Sequence, residues 1–307
     1  MLKSACLAVQ DRFSGTLEFD IPLSKVVYYR IGGPACVLAT PRTFKDLEIL
    51  HALIQVTKTR YFILGWGSNL LFSDETYPGL VIRMKHLLSE ISEVGQGVLK
   101  LGASLGASRL LKKACEQGYG GLAKLTGIPG SVGGMVAMNA GTHLGEFSAS
   151  LIKTEFVNLE KPGELEVQTR IHESTDFSYR RNHFLKPGDL ITHTFCRYTP
   201  GRSDEIKAEI DALYLRRKAS QPVDYPSCGS VFMNPRESGL HAWQVIDQLK
   251  LRGHQIGQAQ ISEKHPNFIV NLGGAKAVDV KALIELVKAR AMTELAISLH
   301  EEVRVIE

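Results

Sequence analysis

Apolar positions along this chain alternate between strand-like runs and helix-like spacings. Phe44, Leu47, Leu50 and Ile54 fall at three- and four-residue steps, which predicts an amphipathic helix, and Thr43 with Asp46 three residues on can cap it. Tyr61 to Leu64 reads as a short buried strand ending at Gly65, and Leu80 to Arg83 as another. Ser104 to Gln117 reads as a helix stopped by Gly118. Strands are predicted around Thr154 to Asn158, Leu165 to Thr169 and Leu190 to Arg197, followed by a helix from Ser203 to about Arg217 with Ile206, Ile210 and Leu213 on one face. Further on come a helix near Trp243 to Leu249, a strand at Phe268 to Val270, and a long helix from Asp279. That helix sets Val280, Ile284, Val287 and Ala291 on one side, the pattern of a helix laid on a sheet.

Three glycine-rich breaks interrupt this pattern in the first half of the chain. In GIPGSVGGMVAMNAGTHLGE, which begins at Gly127, the residues Gly127, Ile128, Pro129, Gly130, Ser131, Gly133 and Gly134 strip away side chains that would keep a ligand off the backbone. Asn139 then offers a donor and an acceptor beside Ala140 and Gly141. The spacing matches neither G-x-G-x-x-G nor a phosphate loop with a closing Lys-Ser or Lys-Thr, so both a nucleotide-type ligand and a tightly packed glycine turn remain open. The strand at Tyr61 delivers Gly65, Gly67, Ser68 and Asn69, a weak phosphate-loop signal by itself. YYRIGGPA, from Tyr28 to Ala35, is the third break, and together the three suggest one extended ligand.

Composition narrows the function classes. A chain of 307 residues with 44% hydrophobic content can build more than one core. The net charge of +4 is too small and dispersed for a nucleic-acid binder, although it does not oppose an anionic ligand. No segment approaches the ~18 uninterrupted apolar residues of a membrane span, and no signal peptide is visible, so a cytoplasmic protein is expected. Cys6, Cys36, Cys115, Cys196 and Cys228 never form C-x-x-C, and the histidines form no H-E-x-x-H. Disulfides and a metal centre are therefore not expected.

The order of motifs carries a resemblance. YYRIGGPA, GWGSNLLFSD, GIPGSVGGMVAMNAGTHLGE, SYRRNHF, RRKASQPVDYPSCGSVFMNP, KHPNFIVNLGGA and LHEEVRVI resemble the corresponding segments of UDP-N-acetylenolpyruvoylglucosamine reductases, over nearly the whole chain, from about Tyr28 to Ile306. The chain looks like the shorter, type II form of that family. The resemblance implies an α+β fold: a two-domain FAD-binding platform of the vanillyl-alcohol-oxidase type plus an α/β substrate-binding domain. Expected boundaries are 1–84 and 85–202 for the flavin subdomains and 203–301 for the substrate domain, with 302–307 returning as a strand to the first. It also implies noncovalent FAD, NADPH as reductant, and UDP-N-acetylglucosamine-enolpyruvate as substrate in peptidoglycan synthesis; a monomer is expected.

Residue roles follow from the same resemblance. The family's reaction adds a hydride to C3 and a proton to C2 of an enolpyruvyl ether, building charge beside a carboxylate. Ser230 matches the proton donor, although a serine in a Gly-Ser turn more commonly caps backbone. Arg180 matches the arginine that grips the carboxylate, and Glu302 the carboxyl group that completes the site, with Arg181 and Glu301 as the adjacent alternatives. Tyr179, Lys218, Asn234, Lys264 and Asn267 match or neighbour substrate-binding positions, Asn271 less closely. Two departures stand out: Trp66 where the family has glycine, so that its ring must stack away from the flavin diphosphate, and Met233 where lysine or arginine is usual. A flavin oxidase and a non-catalytic flavin- or UDP-sugar-binding protein are the competing classes. The oxidase reading is weakened because His143 is the one attachment candidate in the glycine-rich loops.

Overall fold

Local chemistry sets the element boundaries. Thr43 Oγ1 accepts from the Asp46 N–H at 3.2 Å and Asp46 Oδ2 accepts from the Thr43 N–H at 3.0 Å, a reciprocal cap that opens the helix Phe44–Thr57. Leu47, Leu50, Leu53 and Ile54 of that helix are buried, as the three-four spacing requires. The computed structural model describes residues 2–95 and 97–307.

The chain forms two compact units. The first comprises Met1–Phe19, Cys36–Trp66 and Pro78–Leu215; the second comprises Asp20–Ala35, Gly67–Tyr77 and Arg216–Glu307. A four-stranded sheet, most of whose residues belong to the first, has the order Thr16–Pro22, Pro34–Thr40, Tyr77–Arg83, Tyr61–Leu64, and the last two run parallel with Tyr61 opposite Leu80. Tyr61–Leu64 is thus an edge strand, half-buried except at Leu64, not the buried strand its apolar run suggests. A five-stranded antiparallel sheet follows, ordered Gln168–Ile171, Leu151–Asn158, Asp189–Arg197, Val98–Gly102, Ile91–Glu93. Its outer strand Gln168–Ile171 was expected at 165–169. The register with Leu151–Asn158 starts only at Gln168, because Leu165 packs on the hydrophobic core instead of entering the ladder.

The helix expected from Ser104 begins at Ala107, since the Ser104 N–H bonds the Leu88 carbonyl and keeps the chain extended; it ends at Gln117, where Gly118 takes φ +73°. The helix Ser203–Ser220 runs three residues beyond expectation, and Ile206 is its one buried residue among those described.

In the second unit, strands Gln255–Ile256, Ala259–Ile261 and Ile269–Asn271 form an antiparallel sheet, and the helices Ala242–Gln248 and Ala277–Leu295 share its core. Val280, Leu283, Ile284, Val287 and Ala291 are buried there; each of the larger ones contributes about 1.5–3 kcal/mol of transfer free energy. The helix starts at Ala277, ahead of the expected Asp279, because Asp279 Oδ2 accepts from the Lys276 N–H and so sits inside the first turn. Asp74 closes the same helix end: its two oxygens accept from the Ala277 and Val278 N–H groups at 2.8 and 3.1 Å. The terminal strand Arg304–Ile306 pairs in parallel with Leu70–Phe72.

Asp74 therefore satisfies two orphan amides at the positive end of a 19-residue helix. Asp74→Ala is expected to lower stability by about 1–2 kcal/mol, and Asp74→Asn by less, in urea unfolding at neutral pH. Equal losses in both variants would show that capping by the side-chain oxygen is not what Asp74 contributes.

Candidate active site

The glycine-rich elements of the first unit converge on one another. A Cβ on Gly65 would stand 2.8 Å from Ser131 Oγ, and one on Gly133 would stand 3.0 Å from the Ala103 Cβ. The Gly133 N–H bonds the Ala103 carbonyl, the Val132 N–H the Leu105 carbonyl, and the Ala107 N–H the Gly130 carbonyl. Ser131 caps the short helix Val132–Ala137 through its bond with the Gly134 N–H, and Gly127 takes φ +73° before Ile128 and Pro129. Beneath this loop the hydroxyls of Ser104 and Thr192 are buried with no hydrogen-bond partner among the described residues. Stripped backbone beside unpaired hydroxyls fits a polar cofactor such as FAD. Trp66 stacks elsewhere, as its bulk demands: a Cβ on Gly106 would lie 2.4 Å from Trp66 Cζ2, so the indole rests on that glycine.

Asn139 does not offer its amide outward. It is fully buried at φ +44°, and Nδ2 donates to Glu146 Oε2 at 2.8 Å and to the Ser178 carbonyl at 2.9 Å. Ala140 accepts from the Phe147 N–H and the Gly141 carbonyl accepts from Arg180 Nη2 at 2.9 Å, so this end of the loop is a bracket for the arginine segment.

That segment is a two-residue hairpin. Ser178 pairs with Arg181 and Phe177 with Asn182, leaving Tyr179 and Arg180 as the loop, and Arg180 takes φ +59°. A left-handed backbone favours glycine or asparagine at such a position; an arginine there stores about 1–3 kcal/mol, the kind of strain found at functional sites. The Arg180 guanidinium lies 5.0 Å from the Tyr179 ring centroid and 3.9 Å from Glu146 Oε1. At the base of the hairpin, Asp176 is buried; it is gripped by Arg170 Nη2 at 2.6 Å and faces His172 Nδ1 at 3.2 Å, while His172 Nε2 meets Thr154 Oγ1 at 2.8 Å. The Arg170 hydrogen bonds hold the Asp176 carboxyl down at about 2. Burial pushes the His172 imidazole below its ordinary value. No sequence motif announced this network, because its members come from a strand end and a turn with no fixed spacing.

The second unit holds Gly67, Ser68, Asn69, Lys218, Ser230, Asn234, Lys264, Asn267 and Glu302. Gly67, at φ +64°, packs on Val27, and its carbonyl accepts from the Tyr28 N–H, which brings the third glycine-rich break to this loop. Asn69 Nδ2 donates to the Glu302 carbonyl at 2.9 Å. The Glu302 N–H donates to the Val231 carbonyl at 2.7 Å, one residue past Ser230. Gly229 takes φ +77° with open space where its own Cβ would stand, and the next residue, Ser230, is half-buried.

Several expected contacts serve the scaffold. Asn267 is buried with Oδ1 accepting from the Phe232 N–H and Nδ2 donating to the Phe232 carbonyl; it holds the serine turn from behind. Asn271 likewise donates to the Tyr29 carbonyl and accepts from the Gly273 and Ala275 N–H groups. Asn234 Oδ1 accepts from the Ala242 N–H, and Lys264 Nζ donates to the Lys218 carbonyl at 2.5 Å. Lys218 is exposed. Between the adjacent glutamates, Glu301 pairs with Lys288 at 2.7 Å; burial raises its carboxyl, but the Lys288 and backbone bonds outweigh this and leave it below its ordinary value. Glu302 reaches the serine turn, where its charge adds to the burial that pushes the Cys228 thiol up to about 12.

The glycine-stripped loop of the first unit suits a flavin, and the comparisons with known proteins make the class an FAD-dependent oxidoreductase. Residues 35–164 match an FAD binding domain, and residues 221–306 match the C-terminal domain of UDP-N-acetylenolpyruvoylglucosamine reductase. The chain is 37% identical over 292 residues to that reductase from Geotalea uraniireducens, covering 95% of this chain and 94% of the relative. It is 36% identical to the one from Lactobacillus johnsonii, covering 94% of each. The crystal structure of the Thermus caldophilus enzyme superposes with a TM-score of 0.79 at 34% identity, covering 95% of this chain and 100% of that one. The chain belongs to the UDP-N-acetylenolpyruvoylglucosamine reductase family, with the mixed α+β fold and FAD-binding domain expected from its motifs. No helix among the described residues is long and apolar enough to cross a membrane.

Acid should loosen the arginine hairpin. Asp176 titrates near the ordinary carboxylate range, about 4, when unfolded and at about 2 when folded, so its contribution is complete above pH ~4 and vanishes towards pH 2. His172, also depressed, adds a loss that begins as pH falls below the ordinary imidazole value, about 6.5, and is complete below its folded one. With Arg170 open to water, the Asp176 share is about 1 kcal/mol. The melting-temperature gap between wild type and Asp176→Asn should narrow from pH 4 to pH 2; a constant gap would assign the depressed carboxyl no part in stability.

Proposed function

We propose that this chain reduces the enolpyruvyl ether of UDP-N-acetylglucosamine-enolpyruvate to UDP-N-acetylmuramate, in peptidoglycan synthesis, with NADPH as reductant. The observation that carries the reading is Ser230, presented by the left-handed Gly229 and framed by Asn267 and the Glu302 backbone. The expected division into flavin subdomains 1–84 and 85–202 and a substrate domain 203–301 belongs to this proposal, and the matches over 35–164 and 221–306 support it.

Gly65, Gly67, Ser68, Asn69, the 127–134 loop and the 139–141 backbone would hold FAD noncovalently, and the bound flavin would supply the hydride for C3. The chain's own residues supply the rest. Arg180 grips the substrate carboxylate, where negative charge grows as C3 is attacked, and a planar guanidinium matches that carboxylate with two bonds. Ser230 gives its hydroxyl proton to C2; a serine is a weak acid, but carbon bearing charge beside a carboxylate is basic enough to take it. Glu302 completes the carboxylate environment from beside the serine turn. Tyr179 packs against substrate or flavin, Lys218 and the amide group that Asn234 does not give to Ala242 serve the sugar and diphosphate, Lys264 beside Lys218 faces an anionic group, and Asn267 acts by holding the Ser230 turn.

Ser230→Ala removes one hydroxyl from a turn whose backbone bonds do not use it. Bleaching of the flavin band by NADPH should stay near normal, while its return on adding the UDP-enolpyruvyl sugar should slow at least ~100-fold in stopped flow. An unchanged return would assign the proton to water or to another group. No yellow colour after reconstitution with FAD would sink the whole reading.

Arg180→Lys keeps the charge and loses the fork. It should slow the substrate-driven step more than ~10-fold and spare reduction by NADPH. Equal slowing of both steps would make Arg180 structural and move the test to Arg181.

A further inference from the structure

We infer that Glu146 is the positioning residue of Arg180, an inference that rests on the role proposed for that arginine. Glu146 stands on a small hairpin in which Gly145 and Glu146 pair with Thr142 and Gly141, with Glu146 directly opposite Gly141. The guanidinium meets this hairpin twice: Nη2 donates to the Gly141 carbonyl at 2.9 Å, and Nη1 lies 3.9 Å from Glu146 Oε1. The second contact is too long for a hydrogen bond and acts as charge. It is also no ordinary surface pair, because the Arg180 side chain is 15% exposed and that of Glu146 29%.

The carboxylate is itself fixed. Asn139 Nδ2 holds Glu146 Oε2 at 2.8 Å and the Ser178 carbonyl at 2.9 Å, so one buried amide ties the counter-charge to the hairpin whose loop carries Arg180. Asn139 Oδ1 accepts from the Ser148 N–H at 3.3 Å and locks the amide's orientation. Glu146 Oε1 is buried and accepts no hydrogen bond among the described residues, which leaves the arginine as the positive group it faces. Glu146 thus holds a strained arginine in the orientation in which it receives an anionic substrate group.

Glu146→Gln keeps the shape and the Asn139 contact and removes the charge. The substrate-driven return of the flavin band should slow about 10-fold, with reduction by NADPH within about twofold of wild type. In an Arg180→Met background the same substitution should change the rate less than about twofold, because Glu146 acts through the arginine. Glu146→Asp, which keeps the charge one methylene further away, should recover part of the rate. A urea-unfolding cycle on the four proteins gives a readout independent of turnover: the Glu146→Gln shift in midpoint should shrink when Arg180 is Met. Loss of the same size in both backgrounds, or no loss in either, overturns the inference. A wild type that never returns the flavin band with the UDP-enolpyruvyl sugar defeats the proposed function instead, and the unfolding cycle still decides whether Glu146 holds Arg180.

Discussion

An arginine held in a left-handed backbone is the constraint around which the glycine-rich loop and the strand ends beside it are arranged in the first unit. At φ +59° in a two-residue loop, Arg180 occupies a conformation that the chain would relinquish if nothing held it. The tip is fixed by the Gly141 carbonyl and the Asn139 amide, the base by Asp176 with Arg170 and His172. Each brace draws on a different part of the chain: the glycine-rich loop above, a strand end and turn below. The glycine-rich segment consequently has two tasks, since its first half strips backbone beside Ser131 and its second half turns inward to hold an arginine.

The second unit solves a related problem without side-chain charge. A tight turn such as 228–232 carries backbone donors and acceptors that burial would leave unpaired. Asn267 satisfies both polar groups of Phe232, while the Val231 carbonyl takes the Glu302 N–H and the Val231 N–H bonds the Asn267 carbonyl. The backbone of Val231 and Phe232 is thus paired without the Ser230 hydroxyl. None of those bonds draws on the hydroxyl, and the role proposed for Ser230 rests on that.

Most of the architecture was legible because it rests on local signals. Thr43 and Asp46, Gly118, and the Val280 to Ala291 stripe each encode a boundary or a face within a few residues, and the structure follows them. Expectation failed where a distant partner decides. Leu165 looks like a strand residue until the core claims it, and Asp279 looks like a helix start until its carboxylate is seen capping Lys276. The same division holds at the site. Glycines, Ser230 and Arg180 are visible in motifs, whereas Thr154 reaches the local His172 and Asp176 pair only through the pairing of its strand with Gln168–Ile171. Asparagines misled most, because Asn139 and Asn267 carry the donor and acceptor of a ligand contact yet apply both to the protein's own backbone and side chains.

Trp66 shows how a departure from a family's pattern can be absorbed locally. A ring at the end of the Tyr61–Leu64 strand needs a flat surface, and Gly106, at the N-terminal end of the helix Ala107–Gln117, provides one because it has no side chain. The two positions are therefore coupled: any residue larger than glycine at 106 must displace the indole, whereas a glycine at 66 would relax that demand. Since the Ala107 N–H bonds the Gly130 carbonyl and Gly106 bridges to Ser131, the surface that accommodates Trp66 is the same one that anchors the glycine-rich loop. The bulk of the tryptophan is thereby accommodated by a second glycine, on the surface to which the loop is bonded.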